Sequence, residues 1–181
     1  MYATVGNFVL TVVVTDAVGA TASSSWAVTV VPAPSIQIVR SLATTDVGVP
    51  VAFDAVISGG SGSNDSGFWD FGDGTTSSGF NVTHVWTAPG VYNVSVTYVD
   101  GMGASTNAST VVRVNAAPVG EFSVSGGSLS SPAVPGTVFE YNATILYGTG
   151  PFNITWSFGD DTYAVGARVA HAYASNGTYS V

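Results

Sequence analysis

Apolar and polar residues alternate along most of the chain, which is the pattern of β-strands with one buried face. Every second position of residues 49–57 is apolar, and residues 92–98 repeat this alternation with Tyr, Val, Val and Tyr. Turn-forming sequences follow these runs, SGGSG at 58–62 and DG at 100–101. Because the strands are short and no helical periodicity extends beyond a turn, the pattern predicts an all-β fold of antiparallel β-sandwiches.

The chain also repeats itself. The heptapeptide WDFGDGT at 69–75 recurs as WSFGDDT at 156–162, an offset of 87, and the alternation of residues 2–19 matches residues 86–103 at an offset of 84. We therefore expect residues 1–31 to be the C-terminal part of one repeat, 32–115 a complete repeat, and 116–181 the N-terminal part of a third, truncated repeat. The junctions VPAP and NAAP contain proline, which predicts short, stiff linkers.

The WDFGDG core, the later His84 and the G-x-Y-x-V pattern at 90–94 resemble the signature of PKD (polycystic kidney disease) domains. The resemblance extends over the whole chain as repeats, although the third copy departs from it at Ser157 and Asp161. It implies an immunoglobulin-like sandwich similar to those of archaeal surface-layer proteins, secreted bacterial proteases and chitinases, and animal membrane proteins. In such proteins these domains space, stiffen or bind, and they are not known for catalysis.

The repeated motif itself predicts a structural role. A Trp and a Phe on one strand face would fill the core, a Gly would take an unusual dihedral, and an Asp would close a tight turn and bind the later His. A catalytic or metal-binding His would need further partners. The predicted motif residues in the two copies are Trp69, Phe71, Gly72, Asp73, His84, Trp156, Phe158, Gly159, Asp160 and His171.

Composition excludes several functional classes. The net charge of −8 and the absence of Lys argue against nucleic-acid binding, and no apolar run approaches the length of a membrane span. There is no Cys, and Glu121 and Glu140 are the only glutamates, which leaves no convincing catalytic pair. We therefore expect no enzymatic activity and no cofactor. Calcium binding by Asp70, Asp73 or Asp160-Asp161 stays open, although aspartates that cap turns are the favoured interpretation.

Sequons for N-glycosylation are enriched, and covalent N-glycans would keep a surface with only 8% charged residues soluble. The resemblance to PKD domains implies an extracellular or cell-surface location, and the sparse charge leads us to hypothesise an archaeal, acid-tolerant source. The predicted glycosylation sites are Asn64, Asn81, Asn93, Asn107, Asn142, Asn153 and Asn176.

Two functional classes remain. The first is a structural repeat of a surface layer, stalk or filament, whose partners are neighbouring repeats. Copies could also self-associate head to tail, if strands 11–31 of one copy complete the third repeat of the next, but an excerpt from a longer chain is favoured over this arrangement. The second class is an adhesion or carbohydrate-binding module, for which Trp26, Phe68 and Phe80 are the candidate exposed aromatics.

Overall fold

The computed structural model describes residues 4–63, 65–126 and 133–181, and within these ranges the chain is all-β. The strands are β1 Gly6–Thr15, β2 Thr21–Val30, β3 Ser35–Arg40, β4 Thr44–Asp46, β5 Val51–Ser58, β6 Ser66–Asp70, β7 Thr76–Ser78, β8 Asn81–His84, β9 Gly90–Val99, β10 Ser105–Asn115, β11 Val119–Ser125, β12 Val138–Leu146, β13 Thr155–Ser157, β14 Tyr163–Val165 and β15 Arg168–Ala172.

These strands form five sheets. β1 and β2 make an antiparallel hairpin, while residues 35–115 form a five-stranded sheet in the order β4-β10-β9-β6-β7 and a three-stranded sheet in the order β3-β5-β8. The last part of the chain forms the sheets β11-β12-β15 and β13-β14. The architecture confirms the predicted all-β sandwich fold.

The alternation of the sequence becomes burial in the strands. On β5, Val51, Phe53 and Ala55 are buried, with Phe53 only 2% exposed, and their neighbours point outward. Val49, which the pattern placed in the same buried row, precedes β5 and is 41% exposed. The buried row therefore starts at Val51, and Val49 belongs to the segment that leads into the strand.

By the proximity of their Cα atoms, residues group into two compact units. One comprises Met1–Leu42, Val51–His84 and Tyr92–Val112, and the other Ala43–Pro50, Val85–Val91 and Arg113–Val181. The core of the second unit contains Tyr141, Trp156 and Phe158, all at most 7% exposed. In the part of the chain that the structure describes, no helix has the length and apolar character needed to cross a bilayer.

Candidate functional site

The repeated motif begins at the end of β6, where Trp69 fills the core of the complete repeat. Its indole Nε1 donates to the carbonyl oxygen of Gly79 at 2.9 Å, so the one polar atom of the buried ring is satisfied. The ring of Trp69 stacks on that of Phe71 with centroids 6.4 Å apart, and Phe53 packs against both. The motif therefore contributes two large, almost fully buried aromatic rings to the core of the repeat.

Gly72 follows with a left-handed φ of +76°. A Cβ at this position would lie 2.7 Å from the carbonyl oxygen of Asn93 and 3.1 Å from its nitrogen. Glycine is required here on two grounds, because the dihedral disfavours side chains and because β9 passes too close for a methyl group.

Asp73 then closes the turn with both carboxylate oxygens. Oδ1 accepts from the backbone nitrogen of Thr75 at 3.0 Å and from its hydroxyl at 2.6 Å, and Oδ2 lies 2.8 Å from Nε2 of His84. The His84 ring stacks on Phe71 with centroids 4.0 Å apart. Burial alone would raise the pKa of Asp73, but the hydrogen bonds from Thr75 and His84 outweigh it and lower that pKa.

The second copy reproduces this geometry. Oδ2 of Asp160 lies 2.8 Å from Nε2 of His171, whose ring stacks on Phe158 at 4.2 Å. Trp156 donates from Nε1 to the carbonyl oxygen of Gly166 at 2.9 Å, as Trp69 does to Gly79. The pKa of Asp160 is lowered chiefly by the Thr162 hydroxyl, against the opposing effect of burial, with further help from His171.

The two copies differ where the sequences differ. Asp161 occupies the position of Gly74 and takes a positive φ of +64°, close to the +87° of that glycine. Ser157 replaces Asp70, whose Oδ1 accepts the backbone nitrogen of Gly72 at 2.8 Å in the complete repeat. The copies thus share the Asp–His pair and the aromatic stack, while the edge of the turn varies.

This arrangement stabilises a turn. The oxygens of Asp73 and Asp160 are already engaged by a Thr and a His of the same motif. Among the described residues, no group of three or more His, Asp or Glu side chains is placed to hold a metal ion. Calcium binding remains a prediction that the geometry leaves untested.

Two consecutive segments of the chain, residues 31–116 and 115–181, match the family model described as PKD domain. The chain belongs to the PKD domain family. A stretch of 50 residues is 44% identical to collagenase ColA of Bacillus cereus, which is 28% of this chain and 5% of the collagenase.

A solved structure reported as the structural basis for the promiscuous specificity of carbohydrate-binding modules from the β-sandwich superfamily is also similar. It matches with a TM-score of 0.41 and 16% identity, over 62% of this chain and 54% of the other. The PKD chain therefore spans about half of that structure and a small part of the collagenase.

The structure places most of the predicted glycosylation sites of the PKD repeats at the surface. Asn142 on β12 is half-buried, and Asn64 lies outside the described residues. The exposed sequon asparagines are Asn81 on β8, Asn93 on β9, Asn107 on β10, and Asn153 and Asn176 outside the strands.

The three aromatics singled out for ligand binding fall into different environments. Trp26 on β2 is 65% exposed and Phe68 on β6 is 56% exposed. Phe80 is half-buried, and its ring packs against Tyr98 with centroids 6.2 Å apart. Phe80 therefore takes part in the packing of the complete repeat and is less exposed than the other two aromatics.

Sequence reasoning missed a buried aspartate of the PKD repeat. Asp100 is 5% exposed and accepts backbone N–H groups from Ala104 at 2.8 Å, and from Ser61 and Met102 at 3.0 Å each. Burial raises its pKa, but these three donors outweigh it and hold the pKa below the usual value. The sequence indicated that this aspartate is repeated, because Asp16 aligns with Asp100 at the offset of 84. In the structure, the Asp16 carboxylate closes its own turn in the same way, by accepting the backbone N–H groups of Val18 and Ala20.

Proposed function

We propose that this chain is a structural, N-glycosylated repeat segment of an extracellular or cell-surface protein, of the kind that builds a surface layer, stalk or filament, and that it is not itself an enzyme. The supporting observation is the outer face of the five-stranded sheet. Asn93 on β9 and Asn107 on β10 are both exposed, on neighbouring strands whose buried residues face the core. Both sequons therefore present their amides to solvent on one face.

The residues around these asparagines suit a glycosylated surface. Ser105 and Ser109 on β10 and Thr97 on β9 are exposed, so hydroxyl and amide groups accompany the exposed Phe68 and Val111 on a face where most soluble proteins carry charge. Glycans would hydrate this face and shield the sheet from non-specific association. The same role would keep a chain with only 8% charged residues hydrated.

Peptide mass spectrometry of the protein secreted by its native source tests this proposal. We expect peptides that contain Asn93 and Asn107 to carry sugar-sized mass additions, which chemical deglycosylation removes and Asn→Gln substitution prevents. Peptides without a sequon provide the internal control. Unmodified Asn93 and Asn107 peptides throughout would overturn the glycosylated surface role.

We further propose that copies of this chain self-associate through β1. In the complete repeat, Val96 of β9 lies opposite Trp69 of β6 and is fully buried. Its equivalent Val12 on β1 is 50% exposed, and the equivalent of Trp69 is Trp156 on β13. Pairing of β1 of one copy with β13 of a second, with Val12 opposite Trp156, would bury this apolar surface head to tail.

Sedimentation velocity over a range of concentrations tests the association. We expect wild-type species to grow with concentration, and Val12→Glu to abolish the growth. Val18→Glu, a change at a turn residue that is 91% exposed, should leave it intact. A wild-type monomer at all concentrations would refute the pairing.

Phe68 supports a second candidate function, a sugar-binding face. Its exposed ring lies on β6 directly between Ser78 of β7 and Thr97 of β9, so an aromatic surface is flanked by two hydroxyl-bearing residues. Rings stack on the apolar faces of pyranoses, and hydroxyls bond their edges. Titration calorimetry with oligosaccharides should show binding that Phe68→Ala abolishes and Trp26→Ala preserves; no heat with any oligosaccharide would remove this candidate.

A further inference from the structure

The loop after β12 forms hydrogen bonds with the end of the complete repeat through Thr149. The Thr149 hydroxyl donates to Oδ1 of Asp46 at 2.6 Å and accepts from Nδ2 of Asn115 at 3.0 Å. The backbone nitrogen of Thr149 donates to Oδ2 of the same aspartate at 3.1 Å. Both oxygens of Asp46 are thereby bound to one residue of the next repeat.

The two residues that receive this loop are fixed to each other. Asp46 ends β4 and Asn115 ends β10, and they lie opposite one another in the parallel β4–β10 pairing. The two side chains that bind Thr149 are therefore carried by paired strands of one sheet. Hydrogen bonds to an ionised carboxylate are stronger than those between neutral groups, which favours a persistent contact.

A second contact joins the same loop to the linker. Gly148 donates its backbone N–H to the carbonyl oxygen of Ala116 at 2.9 Å, and it has a φ of +75°. A Cβ on Gly148 would lie 2.8 Å from the Cβ of Pro118. The loop is thus packed directly on the linker, at a distance that only glycine permits.

The preceding junction contains the equivalent contact. Gly60 donates its N–H to the carbonyl oxygen of Pro32 at 2.9 Å, and Pro32 aligns with Ala116 at the repeat offset of 84. The next residue of that loop, Ser61, also gives its backbone N–H to a carboxylate, Oδ2 of Asp100, at 3.0 Å. The glycine contact with the linker therefore recurs in the chain, whereas the carboxylate that Ser61 binds belongs to its own repeat and the carboxylate that Thr149 binds belongs to the preceding one.

We propose that the linker between successive PKD repeats is a docked joint, and that the next repeat's Gly148–Thr149 loop is the partner recognised by Asp46, Asn115 and Ala116. The joint holds the end of β10 and the start of β11 in place, so the linker is not a free hinge. Asp46 holds the joint in place because it is the only acceptor among the described contacts that binds both the backbone N–H and the hydroxyl of Thr149. This inference is independent of whether the sequons carry glycans.

Amide hydrogen exchange of the full 181-residue chain tests the joint residue by residue. We expect the Thr149 amide to be protected in the wild-type protein and to exchange roughly 10-fold or more faster in Asp46→Ala, the loss expected for a charge-assisted hydrogen bond. The Gly60 amide, which makes the equivalent linker contact without Asp46, should not change. Asp54→Ala removes another carboxylate from a strand of the complete repeat and should leave Thr149 protected.

A pair of milder variants separates the joint from general folding. Thr149→Ser keeps the hydroxyl and should keep the protection of the Gly148 amide, whereas the nearly isosteric Thr149→Val should reduce it. The Ala143 amide, bonded to the carbonyl oxygen of Ala167 inside the third repeat, should stay protected in both. An unprotected wild-type Thr149 amide, equal effects of Thr149→Ser and Thr149→Val, or accelerated exchange at Ala143 together with Thr149 would each overturn the docked joint.

Discussion

Substituting Gly72 by alanine tests the reasoning about the motif most sharply, because the chain supplies its own control. Gly72 and Gly74 both have positive φ, +76° and +87°, in the same turn. A Cβ at position 72 meets the Asn93 backbone at 2.7 Å, whereas nothing lies within 4 Å of a Cβ at position 74. The two substitutions therefore share the dihedral strain and differ in the steric overlap.

The magnitude follows from these two terms. A left-handed dihedral costs an alanine roughly 1–2 kcal/mol, and the reduced entropy of the unfolded chain offsets about 0.4–1 kcal/mol of this. Gly74→Ala should therefore lower the free energy of unfolding by about 0–1.6 kcal/mol. Gly72→Ala must also displace the backbone of β9, which adds about 1–3 kcal/mol, as overpacking of a filled core does.

Urea unfolding of the two variants, with hydrogen exchange of the β6–β9 amides to report on the complete repeat alone, measures the difference. In thermal unfolding of a repeat of this size, each kcal/mol lost from the free energy of unfolding would lower Tm by about 4–8 °C. Gly159→Ala should behave like Gly72→Ala, since its Cβ would lie 2.7 Å from the carbonyl oxygen of Ser180. Equal stability of Gly72→Ala and Gly74→Ala would refute the claim that close approach of β9 makes glycine necessary.

Three further outcomes follow from the same geometry. The lowered pKa values of Asp73 and Asp160 contribute stability that is present above their ordinary pKa of 3.8 and is lost as the pH falls through the folded-state pKa. The urea midpoint should therefore drop on acidification below pH 4. It should drop less in the variant in which both aspartates are replaced by asparagine. Trp69→Phe removes the indole donor of a buried hydrogen bond and should cost about 1–3 kcal/mol in urea unfolding. Trp26→Phe, at a ring that is 65% exposed, should stay within about 0.5 kcal/mol of wild type in the same assay.

Local features of the complete repeat were predictable because they depend on neighbours in sequence. Alternation over 92–98 identified the buried row of β9, in which Val94, Val96 and Tyr98 are at most 1% exposed. The Asp73 turn was also predictable, since the carboxylate of an aspartate in a turn accepts the backbone N–H of the residue two positions later, here Thr75. Val49 marks where this reasoning fails, because periodicity does not show where a strand begins.

The sequence by itself determined the all-β architecture and the chemistry of the motif, since alternation and turn residues are encoded within a few positions of one another, and it determined the repeat because the same local patterns recur 84–87 residues later. Only the tertiary structure decided which distant groups meet. Asp46 and Thr149 are separated by 103 residues, and no local pattern connects a carboxylate at the end of β4 with a loop after β12. Long-range contacts of this kind depend on how strands pair and where linkers turn, so they are properties of the folded chain and not of any one segment.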